Sequence, residues 1–212
     1  FLVVLLVFFI FLVLKDLTNN SYSDLVLLLI SVSLIFVSTI YINFFSKYYY
    51  LGHWTANVWH NPTTFLIKPI ALLCIWGLYY FLEDKYIWNK YVFQVGLSLL
   101  FVLSIWAKPS FAISFYPAIL VFLILFYKFE LKFFFKIFLV LLPSLIFLAY
   151  QYFSTYYANI TQTTGLKDEI ILTFWGISKL YSKNIFVSFI IAVAFPLLLF
   201  IFDFKKVIKN RL

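Results

Sequence analysis

Both histidines of the chain fall in one short tract, which reads Gly52-His53-Trp54 and then Trp59-His60-Asn61-Pro62-Thr63. Imidazole, carboxamide and hydroxyl groups there sit beside flat indole faces. Such a surface offers hydrogen-bond donors and acceptors next to a stacking plane, which suits a sugar ring or a phosphate. His53, Trp59, His60 and Asn61 are therefore candidate substrate contacts. Trp54 and Trp59 equally fit an aromatic belt at a membrane interface, and Asn61-Pro62 fits a turn that caps the following helix. Two histidines can ligate a metal, but no further cysteine or paired carboxylate joins them. No metal is therefore expected, a divalent ion has no support, and no other cofactor is implied.

A second pattern occurs twice, as Lys68-Pro69 and Lys108-Pro109. Proline is at home in the first turn of a helix, because the N–H it lacks would be unpaired there anyway. Both dipeptides are expected at helix N-termini. A helix N-terminus carries partial positive charge and binds anions through its free N–H groups. A neighbouring lysine adds a full charge, and Ser110 adds a hydroxyl. Lys68, Lys108 and Ser110 are thus candidate ligands for a phosphate or pyrophosphate. The plainer alternative is that each lysine reaches out to the headgroup layer. For Lys68, a few residues into an apolar run, that reach is costlier and a partner is favoured. Asp168, Glu169 and His60 are the candidates for a general base. The two carboxylates also suit the cap of a helix at 170–181, whose apolar residues recur at helical spacing.

These residues need elements to hold them. The chain has 212 residues, 65% of them hydrophobic and 11% charged, where a soluble domain carries about a quarter charged. The excess apolar surface must face lipid. A membrane span takes about 20 residues, and the apolar runs place spans at 1–14, 25–45, 65–82, 91–107, 111–127, 134–153 and 185–202. A β-barrel would alternate over segments of about ten residues. These runs are continuous, and helices satisfy the backbone in lipid. The expected fold is all-α, a single multi-pass transmembrane bundle over residues 1–212 with about seven spans. The tract 170–181 would be a helix in the outer interface.

The net charge of +8 comes from basic residues set between apolar runs. They read as topology signals rather than a nucleic-acid surface. Lys205, Lys206, Lys209 and Arg211 place the C-terminus in the cytoplasm. Counting back puts Lys128, Lys132, Lys136, Lys85, Lys90 and Lys15 inside as well. The outer side then holds 46–64, the turn at Lys108-Pro109-Ser110 and the stretch 154–184. Spans two, four, five, six and seven read as free of interior charge. The lone cysteine, Cys74, excludes a disulfide within the chain. Asn159-Ile160-Thr161 fits a glycosylation acceptor, which has meaning only in a eukaryote.

Two stretches resemble multi-spanning, polyprenyl-phosphate-dependent glycosyltransferases of the GT-C type. One is Asn57-Val58-Trp59-His60-Asn61-Pro62-Thr63 running into Lys68-Pro69-Ile70-Ala71-Leu72-Leu73. The other is Ala107-Lys108-Pro109-Ser110-Phe111-Ala112 with Tyr116-Pro117-Ala118. The resemblance covers residues 52–118. It implies transfer of a sugar from a lipid-linked phosphate donor to a glycan or lipid acceptor at the outer leaflet of a bacterial plasma membrane. Lys68 and Lys108 would hold the donor phosphate, and His60 and Asn61 would contact donor or acceptor. The family's base is a carboxylate in the first outer loop, and no acidic pair stands in the first outer loop of this sequence, 46–64. Phe1 opens within an apolar run, so that loop is expected to precede Phe1.

A different class of function is a flippase, polymerase or exporter handling lipid-linked polysaccharide. Ion-coupled transport favours charges at mid-membrane, and the spans lack them. A third reading is an assembly subunit without chemistry, which a full-length sequence with no outer carboxylate would favour.

Overall fold

The computed structural model describes residues 1–36, 62–85, 89–127, 130–156 and 184–202. All regular structure among them is α-helical: α1 (Leu2–Leu17), α2 (Asp24–Phe36), α3 (Pro62–Leu82), α4 (Lys90–Ala107), α5 (Pro109–Tyr127), α6 (Leu131–Tyr156) and α7 (Ile185–Phe202). Among the described residues, α4, α5 and the 131–155 portion of α6 are long and apolar enough to cross a membrane. Asp24–Ile35 and Leu66–Leu82 are shorter apolar helices. At 1.5 Å per residue the 26 residues of α6 extend about 39 Å, beyond a hydrocarbon core of about 30 Å.

Local chemistry sets the helix ends. The carboxamide of Asn89 accepts the Tyr91 N–H at 2.9 Å and caps α4. The Lys15–Asp24 ion pair, at 2.8 Å, ties α1 to α2 across a turn in which Asn19 and Asn20 take positive φ of 49° and 58°, a conformation Asn tolerates.

Three sequence expectations are corrected. Lys68-Pro69 does not open a helix. Pro62 holds the first helical position, so α3 starts earlier and Pro69 lies two turns inside it. Its ring leaves the Phe65 carbonyl without the usual N–H. Lys136, read above as a cytoplasmic charge at the edge of the span at 134–153, lies within α6 with its side chain only 10% exposed. Span six therefore does contain an interior charge. Likewise α1 extends through Lys15 to Leu17.

The chain packs as two compact units, Phe1–Val13 with Leu66–Ile170, and Leu14–Phe65 with Ile171–Leu212. In the first, one face each of α3, α4, α5 and α6 meets in a core. Cys74, Leu78 and Phe81 from α3 pack with Leu97 and Phe101 from α4, Ile119 and Leu123 from α5, and Ile137, Val140 and Leu141 from α6. Spacings of three and four residues put each set on a single helical stripe. The opposite faces expose large apolar residues such as Leu99, Leu103, Trp106, Leu125 and Phe135. Among the described residues, the buried polar ones are Ser31, Ser98, Ser104, Ser144 and Ser188. An apolar exterior over an interior with small hydroxyl residues is the arrangement lipid demands, since packing and interhelical hydrogen bonds hold helices together there. At Gly77 a Cβ would lie 2.9 Å from the Leu97 Cδ1, so the missing side chain is what lets α3 approach α4.

Candidate functional site

Lys108 is the one residue between α4 and α5. The ring of Pro109 excludes helical backbone at the residue before it, and Lys108 is extended, with φ −165° and ψ 101°. That stops α4. The Lys108 N–H donates to the Ser104 carbonyl at 2.9 Å, closing the last turn of α4, while its own carbonyl accepts the Phe111 N–H at 3.2 Å and opens α5. Pro109 therefore stands at a helix start, as its sequence context predicts. Ser110 is exposed in the first turn of α5, where its carbonyl accepts the Ser114 hydroxyl at 3.0 Å.

The field at this junction differs from the sequence expectation. The positive end of α5 meets the negative end of α4 at the same residue, and the two partial charges offset one another. An anion here would be held by the Lys108 ammonium more than by a helix dipole. The same holds for Lys68 for another reason, since it lies inside α3. Lys68 is partly buried on that apolar helix and has no ion-pair or side-chain hydrogen-bond partner among the described residues. A cation in an apolar segment is expensive to leave without a counter-charge. Of the candidate residues, it is the one whose surroundings most need an anion.

His53, Trp59, His60 and Asn61 lie outside the described residues, as do Asp168, Glu169, the 170–181 tract and the C-terminal basic cluster. Of the candidate site residues, the structure describes Lys68, Lys108 and Ser110.

Two polar groupings lie where no motif drew attention. Lys136 Nζ is 2.6 Å from the Asp84 carboxylate, with 10% of the lysine side chain and 60% of the aspartate exposed. It also stands 4.7 Å over the Phe81 ring. The pair ties the end of α3 to the start of α6. The second grouping is a layer of hydroxyl and thiol groups within the bundle. The Tyr116 and Ser144 hydroxyls are 2.5 Å apart. Ser144 directs its own proton to the Leu141 carbonyl at 2.6 Å, which makes Tyr116 the donor to Ser144. Ser104 donates to the Phe101 carbonyl at 2.7 Å, and Ser104 and Cys74 are both fully buried. Polar residues at helical depth in otherwise apolar runs are the signal that marks these positions in the sequence.

No family model, no curated protein and no solved structure matches the chain.

Proposed function

We propose that this chain is a multi-pass membrane glycosyltransferase, moving a sugar from a polyprenyl-phosphate donor to a glycan or lipid acceptor. The observation that carries the reading is Lys68, a partly buried cation on an apolar helix with no counter-charge among the described residues. A phosphate on a lipid carrier would supply that charge at the depth where the lysine sits. Lys108 and Ser110, at the α4–α5 junction, would hold the same anion from a second side. In this reading the chain crosses a bacterial plasma membrane about seven times, with its C-terminus in the cytoplasm by the distribution of lysines. Residues 62 and 109, at the starts of α3 and α5, then lie toward the outside. His53, Trp59, His60 and Asn61 would contact the sugar or acceptor, and Asp168, Glu169 or His60 would take the acceptor proton.

The test is transfer of radiolabelled sugar from a polyprenyl-phosphate donor in membranes carrying the full-length protein. Lys68→Ala and Lys108→Ala should each reduce transfer at least tenfold, the scale of losing one charge-assisted contact to a phosphate. Lys68→Arg should retain part of it. Full transfer by both alanine variants would remove the phosphate-binding role and, with it, the support for this reaction.

A further inference from the structure

The α5–α6 pair is built like a peg that can open. The two helices are joined at one end by the short connection after Tyr127, whose ring lies 4.3 Å from that of Phe133. Away from that end they meet again at the Tyr116–Ser144 hydroxyl pair. Between these points runs an apolar groove of about 710 Å³, lined on one side by Pro117, Leu120 and Leu123 and on the other by Phe134, Phe138 and Leu141.

Each helix carries a proline next to the hydroxyl pair, Pro117 in α5 and Pro143 in α6. A proline inside a helix removes one rung of the backbone ladder, so bending concentrates there. Tyr116 and Ser144 both lie immediately beyond their proline, on the side away from the connection. On the connection side both helices are held in the core they share with α3 and α4. Ile119, Leu123 and Tyr127 share a core with Ile137, Val140 and Leu141. The Ser98 hydroxyl donates to the Val140 carbonyl at 2.9 Å, in the turn just before Pro143. Beyond the prolines the buried stripe of α5 is reduced to Ala112, with Phe111 and Phe115 partly buried.

We infer that the Tyr116–Ser144 hydrogen bond is a latch. With it made, the α5–α6 seam is shut. With it broken, the segments beyond Pro117 and Pro143 swing apart and open the bundle interior sideways toward the bilayer. The rings of Phe101, 6.3 Å from Tyr116, and Phe115, 5.9 Å from Phe101, hold the phenol in its closed position. This opening requires the helices to lie in a membrane and is independent of the reaction proposed above.

Cys74 reports the state of the latch. It is the only cysteine of the chain, it is fully enclosed, and it belongs to the core cluster against which Tyr116 packs. The experiment is the rate of Cys74 modification by N-ethylmaleimide, with the full chain in lipid vesicles. Tyr116→Phe should raise that rate about three- to eighteen-fold, the span of one interhelical hydrogen bond in a bilayer. Ser144→Ala should do the same, and the double variant should add nothing, because one bond is removed in each case. Pro117→Ala on the Tyr116→Phe background should pull the rate back toward wild type by restoring the backbone rung. Ser98→Ala breaks a bond of similar strength on the connection side and should leave the rate within about twofold. A wild-type rate in Tyr116→Phe overturns the latch. So does an equal rise in Ser98→Ala, which would mean general loosening instead of a hinged opening.

Discussion

Replacing Asp84 by Asn isolates a single charge at the junction of α3 and α6. Asp84 has a φ of 53°, a left-handed conformation that Asn also accepts, and Asn keeps an acceptor oxygen for Lys136. What disappears is the negative charge 2.6 Å from an ammonium that is 10% exposed. A fully exposed pair is worth about 0–1 kcal/mol, and stripping one partner from a fully buried pair costs about 3–5 kcal/mol. Here the lysine is sheltered and the aspartate, at 60%, is not, so a loss of about 1–3 kcal/mol follows. With about 2–4 °C per kcal/mol for a domain of this size, the apparent Tm should fall by about 2–12 °C. The assay is thermal unfolding of the purified protein in dodecylmaltoside micelles, followed by intrinsic tryptophan fluorescence. Lys136→Met keeps the stem over Phe81 and leaves behind a carboxylate that is 60% exposed, so it should destabilise less than Asp84→Asn. The double variant should match Lys136→Met alone. A Tm for Asp84→Asn within about a degree of wild type, or simple additivity in the double variant, would refute the coupling.

Other outcomes follow from the same packing. Gly77→Ala should destabilise by about 1 kcal/mol or more, since the new methyl must displace the Leu97 side chain 2.9 Å away in a packed core. Gly96→Ala meets nothing within 4 Å and should be neutral or stabilising by up to about 1 kcal/mol through helix propensity; a common fall in Tm for both glycines would contradict the α3–α4 contact. Lys15→Met removes an ion pair whose side chains are 37% and 68% exposed, so Tm should change by no more than about 2 °C and the difference should vanish in high salt. For the orientation, single cysteines placed at Ser110 and at Glu83 in a Cys74→Ser background should react with a membrane-impermeant maleimide from opposite sides of the membrane. Labelling of both from one side would overturn the topology.

Several features were legible in the order of residues alone. Ile185–Phe202 has the same bounds in the sequence reading and in α7, and the cores of α4, α5 and α6 match their apolar runs. The reason is that a long apolar run has one cheap solution in lipid, a helix with its backbone satisfied internally. Pro109 was legible for a local reason too, because a proline forces the residue before it out of the helix. Pro69 was not, because proline is compatible both with a first turn and with an interior position. The deciding residue, Pro62, lay six positions upstream of Lys68. The burial of Lys136 was not legible, because a basic residue near a run end reads as a topology signal whichever way its side chain faces. Only the folded chain brings Asp84 to it from 52 positions away.

What the sequence by itself determined is the class of the protein: apolar helices, their approximate limits, and a lysine at the start of α5. Composition and local backbone chemistry act without knowledge of the rest of the chain, so one sequence suffices for them. What only the tertiary structure decided is which groups face each other. Lys108 became a junction between opposing helix ends, Lys68 became a partly buried cation within α3, and Tyr116 found Ser144 across the bundle at 2.5 Å. Those pairings depend on the rotation of each helix about its own axis, which packing sets and hydropathy alone leaves open.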